Sequence, residues 1–345
     1  MGGRGKIAMA KEENLEGSAT PGRVVRGADE ASGDAAFTAS GPYGTAFEPP
    51  YSGALSFMRR RYTRDFHGTD VVVFGVPCDL TTSSRPGSRF GPRGIRAAST
   101  DLAWGEHWPW GFDPFDRLAV VDGGDVTFVP GYVASMLEAA EAFAGEILAC
   151  GASTLGLGGE HLISLPLLRA HAAQHGPVAL VHFDAHSDTW SDEPELGHGN
   201  MFYHALAEGL IDVEHSVQIG IRTHNHECHG FDVLDADWVE DVGPEETARK
   251  IREVVGEGPA YLSFDIDCLD PAFAPGTGTP VVGGLSTRNA RRILGGLEGI
   301  RFVGMDLVEV APPYDVSGIT ALAGATLSLD YLCLLARDRP RVGGD

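Results

Sequence analysis

Basic side chains are scarce in this sequence. Its 26 lysines and arginines face 48 aspartates and glutamates, a formal charge of −22. The broad positive face that a phosphate backbone needs is missing, so nucleic-acid binding is not expected. The acidic excess keeps the chain soluble and weakly favours a small cation nearby. Cysteine is sparse too. Cys78, Cys150, Cys228, Cys268 and Cys333 show no pairing pattern and no CxxC. A disulfide framework is therefore not expected, and a reducing, cytoplasmic setting is the simpler reading. No GxGxxG follows the first apolar strand, which argues against a Rossmann dinucleotide site. No apolar run reads as long enough to cross a bilayer. The opening residues, with Arg4, Lys6 and Lys11, lack the apolar centre of a secretory signal.

A core, by contrast, is well supplied: 43% of the 345 residues are hydrophobic. Residues 1–50 are rich in Gly, Ser, Ala and Glu and are expected to form a flexible extension. Residues 51–345 contain no linker-rich boundary and read as one domain. Strands are expected at Val71–Gly75, Leu118–Asp122, Thr154–Leu157, Val178–Val181, Ser216–Gly220, Asp232–Leu234, Tyr261–Phe264 and Arg301–Asp306. Gly123–Asp125 reads as a turn. Helices are expected after Gly91-Pro92, over 131–149, after His161, over Met201–Leu210, over Pro244–Val255, after a Ser286 cap, and over Ile319–Ala336. This alternation predicts an α/β fold: a mostly parallel sheet with helices on both faces.

The stretch Val181-His182-Phe183-Asp184-Ala185-His186-Ser187-Asp188 organises the functional reading. A buried strand leads into Asp184, His186 and Asp188 at alternate positions, which in an extended chain share one side. Tyr261–Phe264 leads likewise into Asp265 and Asp267, and Thr154–Leu157 delivers Gly158-Gly159-Glu160-His161. Strand ends thus carry four carboxylates and two imidazoles: His161, Asp184, His186, Asp188, Asp265 and Asp267. Such a set would not gather unpaired, and two divalent cations would offset its charge. Oxygen-rich ligation with some histidine suits Mn²⁺. A pair of metals lowers the pKa of a water, and Asp188 is placed to accept its hydrogen bond. His182 reads as structural or as a support to the ligands, and Cys268 as pointing away. Glu309, at another strand end, either holds a cationic substrate group or caps a helix. His198, in a Gly-His-Gly loop, either shuttles protons or is an ordinary loop residue.

These motifs resemble the ureohydrolase family, that of arginase and agmatinase. Gly158–His161, Phe183–Asp188, Ser263–Pro271 and Gly276–Pro280 carry the likeness, from about residue 70 to 335. His198–Tyr203, Ser216–Arg222 and Asp306–Pro312 place it nearest the bacterial agmatinases. The resemblance implies a three-layer α/β/α domain around an eight-stranded, mainly parallel sheet, often assembled as homotrimers or homohexamers. It implies two Mn²⁺ ions held by His161, Asp184, His186, Asp188, Asp265 and Asp267. Asp188 and Asp265 would be among the shared ligands. It also implies that Glu309 pairs with a guanidinium and that His198 assists proton transfer. The activity implied is agmatine hydrolysis to putrescine and urea. Alternatives are another guanidino substrate, such as 4-guanidinobutyrate or 3-guanidinopropionate, or a metal-bound scaffold without catalysis. Glu160 replaces a more usual Asp. Asn200 and Trp190 stand where Thr and Tyr are familiar, and are expected to line or support the substrate channel. A carboxylate-tailed substrate would want Arg85, Arg89 or Arg222. The agmatine ammonium would want Glu193, Glu195 or Glu227.

Overall fold

Eight apolar strands form a single sheet in the computed structural model, which describes residues 34–45, 48–191 and 195–342. The strands are β1 (Val71–Val76), β2 (Val120–Asp125), β3 (Ser153–Gly158), β4 (Ala179–Phe183), β5 (Val217–Ile221), β6 (Asp232–Asp235), β7 (Pro259–Asp265) and β8 (Arg301–Val308). Their order is β2-β1-β3-β8-β7-β4-β5-β6, and each neighbouring pair is parallel. Parallel strands need crossovers, and α-helices supply them. The helices are α1 (Ala35–Thr38), α2 (Gly91–Ser99), α3 (Val133–Ala149), α4 (Ser164–His175), α5 (Met201–Ala207), α6 (Ala236–Val242), α7 (Pro244–Val255), α8 (Thr287–Gly295) and α9 (Ile319–Ala336).

Side-chain alternation splits the core into two layers. Ala179, Val181 and Phe183 of β4 face one cluster with Ile95 of α2, Val239 of α6, Ile251 of α7, Ile293 of α8 and Leu327 of α9. Val178 and Leu180 face the other, with Phe143 of α3, Leu168 of α4 and Phe202 of α5. Helices thus cover both faces, as the alternation of elements predicts.

Several expectations shift. The second strand starts at Val120 and continues through the expected Gly123–Asp125 turn. There Gly124 takes φ +72°, and the β1 register slips so that Gly75 pairs with Asp125. The helix from Met201 stops at Ala207, two residues before Gly209 at φ +70°. Helix α6 was not expected; Asp235 caps it by accepting from the Trp238 amide. The expected extension 1–50 lies largely outside the described residues (1–33 and 46–47). Its described part packs onto the domain: Ala35 and Ala36 are buried, and Asp34 and Glu48 flank the buried Arg59 guanidinium at 3.6 and 3.7 Å.

The expectation that no apolar run could span a bilayer is also corrected. Val316–Ala336 is long and apolar enough by length and composition. However, 78% of its most apolar window is buried inside the domain, which makes it the core helix of one sheet face.

Candidate metal centre

Four strands that are far apart in sequence meet at the middle of the sheet: β3, β8, β7 and β4. Their carboxyl ends deliver His161, Glu309, Asp265 with Asp267, and Asp184 with His186 and Asp188. Ligands of open α/β sheets bind at this edge.

Strand geometry is not what gathers the β4 residues. The strand ends at Phe183, and a turn follows. The His186 amide donates to Asp184 Oδ1 at 2.6 Å, and Asp188 adopts φ +50°. The residues singled out by alternation do lie together, but a tight turn, not an extended segment, gathers them. The left-handed Asp188 is the kind of local strain that concentrates at functional sites.

The ligand-type atoms form two groups. His161, His182, Asp184 and Asp188 each offer one atom within 4.8 Å of the others, and so do Asp184, His186 and Asp267. Asp184 belongs to both. His161 Nδ1 lies 2.9 Å from Asp188 Oδ2, 3.1 Å from Asp184 Oδ2 and 3.3 Å from Asp265 Oδ2. His186 Nδ1 lies 3.1 Å from Asp267 Oδ2 and 3.3 Å from Asp184 Oδ1. Further hydrogen bonds fix the carboxylates: Asp267 Oδ1 accepts from the Ala185 amide, and Asp265 Oδ1 from the Asp267 amide.

Crowding of acids and imidazoles shifts the groups of this cluster. Burial opposes charge on His161, yet the facing Asp184, Asp188 and Asp265 carboxylates hold its pKa well above the ordinary range. Burial, then Asp267 and Asp184, push the Asp265 carboxyl well up. Burial and Asp184 push Asp267 up to about 6. His161 Nδ1 is buried without a hydrogen bond among the described residues, though three carboxylates surround it. The donor set of carboxylate oxygens and imidazole nitrogens, split into two groups with a shared member, fits two divalent cations. Removing them is expected to lower the melting temperature. At free metal 100-fold above its dissociation constant, each ion adds about 2.7 kcal/mol. Thermal melts with excess metal and with chelator check this; coincident melts would exclude tight binding.

Glu309 faces this cluster from β8. It is 1% exposed and holds φ +62°. Its Oε1 accepts from the His161 amide at 2.8 Å and lies 3.2 Å from His198 Nδ1. Its Oε2 has no partner among the described residues. A Cβ at Gly278 would stand 3.4 Å from that oxygen, in ordinary contact with it.

The comparisons agree with this geometry. Residues 69–333 match the model of the arginase family. The chain belongs to the arginase family. Among curated relatives, an agmatinase of Chromobacterium violaceum is 52% identical over 306 residues, covering 88% of this chain and 95% of that protein. A crystal structure of a hypothetical agmatinase from Burkholderia thailandensis aligns with TM-score 0.87 and 54% identity, covering 88% and 98% of the two chains. The proclavaminate amidino hydrolase of Streptomyces clavuligerus aligns with TM-score 0.81 and 41% identity, covering 84% and 99%.

Within this arginase-family site, the residues that depart from the usual pattern have definite places. Glu160 is buried and turned from the cluster. Its Oε2 accepts from the Thr81 amide at 2.8 Å, from Thr81 Oγ1 at 2.9 Å and from Thr82 Oγ1 at 3.2 Å. That anchors the loop whose Ser83 faces His198 Nε2 through its amide at 3.1 Å and its hydroxyl at 3.0 Å. Asn200 is fully buried; its Oδ1 accepts from the Gly197 amide and its Nδ2 donates to the Glu195 carbonyl. It braces the His198 loop, in keeping with the supporting role that was one of its two expected places. The Trp190 ring stands 6.2 Å from that of His186, at the cluster's flank. Cys268 points away, its thiol toward the Ile219 carbonyl. The close packing there needs Gly220, at φ +90°, where a Cβ would stand 2.7 Å from Cys268 Sγ.

Sequence reading missed Asp306, Ser263, Ser164 and Gln218. The buried Asp306 carboxylate accepts from Ser164 Oγ and Ser263 Oγ at 2.7 Å and from the Tyr261 hydroxyl at 2.9 Å. Ser263 Oγ in turn lies 2.7 Å from His161 Nε2. With its own proton given to Asp306, Ser263 accepts from Nε2–H, which leaves Nδ1 as the His161 nitrogen that faces the acids and would hold a metal. The only signal in the sequence was an aspartate and a serine inside otherwise apolar strands.

Proposed function

We propose that this protein hydrolyses agmatine to putrescine and urea, with two Mn²⁺ ions held by His161, Asp184, His186, Asp188, Asp265 and Asp267. The observation that carries the reading is Glu309: a buried carboxylate beside the cluster with one oxygen unpartnered among the described residues. A planar cation with several N–H donors satisfies that oxygen by a charge-assisted hydrogen bond. The ions, when bound, supply Lewis acidity and a water of lowered pKa.

The chain's own residues do the rest. Glu309 orients the guanidinium against the cluster. Asp188 accepts a hydrogen bond from the attacking water, and His198 delivers a proton to the departing amine. Water adds to the guanidinium carbon, the C–N bond to the alkyl chain breaks, and that nitrogen leaves protonated.

His198 is poised for the transfer. Burial and the Ser83 amide at Nε2 favour its neutral form, but the Glu309 carboxylate prevails and raises its pKa to about 9. The proton donor is thus present at neutral pH and lost on alkalinisation. We expect kcat/KM to fall above about pH 9. The kcat limb is expected lower, because bound guanidinium neutralises Glu309. On the acid side, ligand protonation expels the metals and activity falls. Full pH profiles of both parameters check this; an alkaline limb unmoved by His198→Asn would exclude the assignment.

The arginines bear on the substrate tail. Arg222 spends its guanidinium on the carbonyls of Val281, Gly220, Cys268 and Asp267, and Arg89 is paired with Asp79. Only Arg85, exposed and 5.4 Å from the Tyr314 ring, remains to meet a carboxylate tail. Of the acids, Glu193 lies outside the described residues, and Glu227 lines a cavity of about 570 Å³ with Ser187 and Asn225. Urea release from agmatine, arginine, 4-guanidinobutyrate and 3-guanidinopropionate by Mn²⁺-loaded protein tests the substrate. Preference for a carboxylate-tailed compound would overturn agmatine and leave the chemistry standing. A biological role surviving Asp188→Asn would favour a scaffold. We further propose a homotrimer or homohexamer, checked by light scattering, and a cytoplasmic location, which five unpaired cysteines support.

A further inference from the structure

His182 sits among the ligand-type atoms, yet its hydrogen bonds give it another task. It lies in β4, fully buried, directly paired in register with Gln218 of β5. Gln218 is 1% exposed, and its Nε2 lies 2.7 Å from the Ser187 carbonyl and 3.1 Å from His182 Nδ1. A carbonyl oxygen can only accept, so the Gln218 atom facing it is the amide nitrogen. The same nitrogen therefore donates its second hydrogen to His182 Nδ1. Nδ1 then carries the lone pair, and the ring proton sits on Nε2. That nitrogen is 2.8 Å from Asp184 Oδ2 and donates to it. A nitrogen that holds a proton has no lone pair for a metal.

We infer that His182 is a positioning residue, locked by Gln218 in the tautomer that aims Asp184, and is not itself a metal ligand. Asp184 is the carboxylate common to both ligand groups, so fixing its rotation sets both at once. Gln218 acts twice. Besides His182, it holds the carbonyl of Ser187, the residue before the left-handed Asp188. One amide group thus ties a core strand to the turn that presents Asp184 and Asp188. Phe202 packs its ring 4.6 Å from that of His182 and closes the remaining side. The inference rests on the two-metal reading of the site.

The test uses full-length protein, stripped by chelator and titrated with Mn²⁺ alone. Gln218→Leu is close in volume and removes only the amide; His182→Phe removes the imidazole. Both are expected to bind two ions with affinity lower by about 10- to 100-fold, the usual cost of losing an outer hydrogen bond to a ligand. Saturating Mn²⁺ is expected to restore most of kcat. The double variant is expected to bind more tightly than the product of the two single effects predicts, because the residues act in one chain. Unchanged affinity with a lower metal-free melting temperature would make the pair merely structural and overturn the inference. Loss of one ion in His182→Phe that no excess restores, with Gln218→Leu unaffected, would make His182 a ligand and overturn it as well. Wild-type protein that binds no Mn²⁺ would refute the proposed function itself, a failure distinct from either.

Discussion

Asp184→Asn is expected to lower urea formation on the order of 10³-fold and to weaken both cation sites together. Three observations set this expectation. Asp184 is fully buried and is the only residue common to the two ligand groups among the described residues. Its oxygens are divided: Oδ2 faces His161 and His182, while Oδ1 takes the His186 amide and lies near His186 Nδ1. Burial opposes its charge, but the surrounding His182, His161 and His186 rings hold its pKa well below the carboxylate range, so it stays ionised. Asparagine keeps the shape and one acceptor oxygen but removes the charge. A Lewis acid stabilises transition-state charge by several kcal/mol, which at about 1.4 kcal/mol per tenfold is on the order of 10³-fold in rate. Metal content by elemental analysis and kcat at saturating Mn²⁺ measure the two effects separately. Two tightly held ions in the variant would refute the sharing.

Glu309→Gln is expected to reduce kcat/KM for agmatine by about 10²- to 10³-fold while leaving the metal content at two. The physical cause is the loss of a buried charged partner, worth about 2–5 kcal/mol when the other charge must still be desolvated. Unlike Asp184, Glu309 belongs to neither ligand group. A second effect separates this from simple damage. The Glu309 carboxylate is what raises His198 to about 9 against burial. Without it, only Asp188 and Glu160 are left to oppose burial, and the His198 pKa is expected to fall. The sign for stability follows. A raised histidine pKa contributes stability fully below its unfolded value of about 6.5. That contribution is lost as pH rises through about 9. In Glu309→Gln this dependence is expected to weaken. Imidazole titration by NMR and melting temperature against pH check both; an unshifted His198 would sink the pairing.

How much of this could be read along the chain? Local patterns give the strands and most helices, because apolar runs and glycine or proline punctuation are local signals. They fail where geometry depends on a neighbour. The β2 strand runs through two glycines because β1 and its bulge hold it there. Helix α9 has the composition of a membrane span, and only the sheet it covers marks it as core. At the site, the same division holds. The six ligand-type residues could be read from chemistry at strand ends. The turn that brings Asp184, His186 and Asp188 together could not, since it depends on a hydrogen bond inside the turn and a left-handed Asp188. For Asn200 the sequence left two roles open, because a buried brace and a channel residue look alike in sequence.

The linear order carries the ingredients: acids and imidazoles, each following an apolar strand, in an order resembling one family. Tertiary structure decided their assembly. The chain passes from β3 to β4 by leaving a gap that β7 and β8 later fill. Strand ends separated by up to 148 residues thereby meet, as the His161 amide does with Glu309. Folding also buried Asp306, Ser263 and Gln218 behind the ligands, where hydrogen bonds choose which nitrogen each histidine offers. Ligand identity is a property of side chains and survives in a linear string. Tautomer, rotation and shared charge depend on what stands within about 3 Å, and only the folded chain supplies those neighbours.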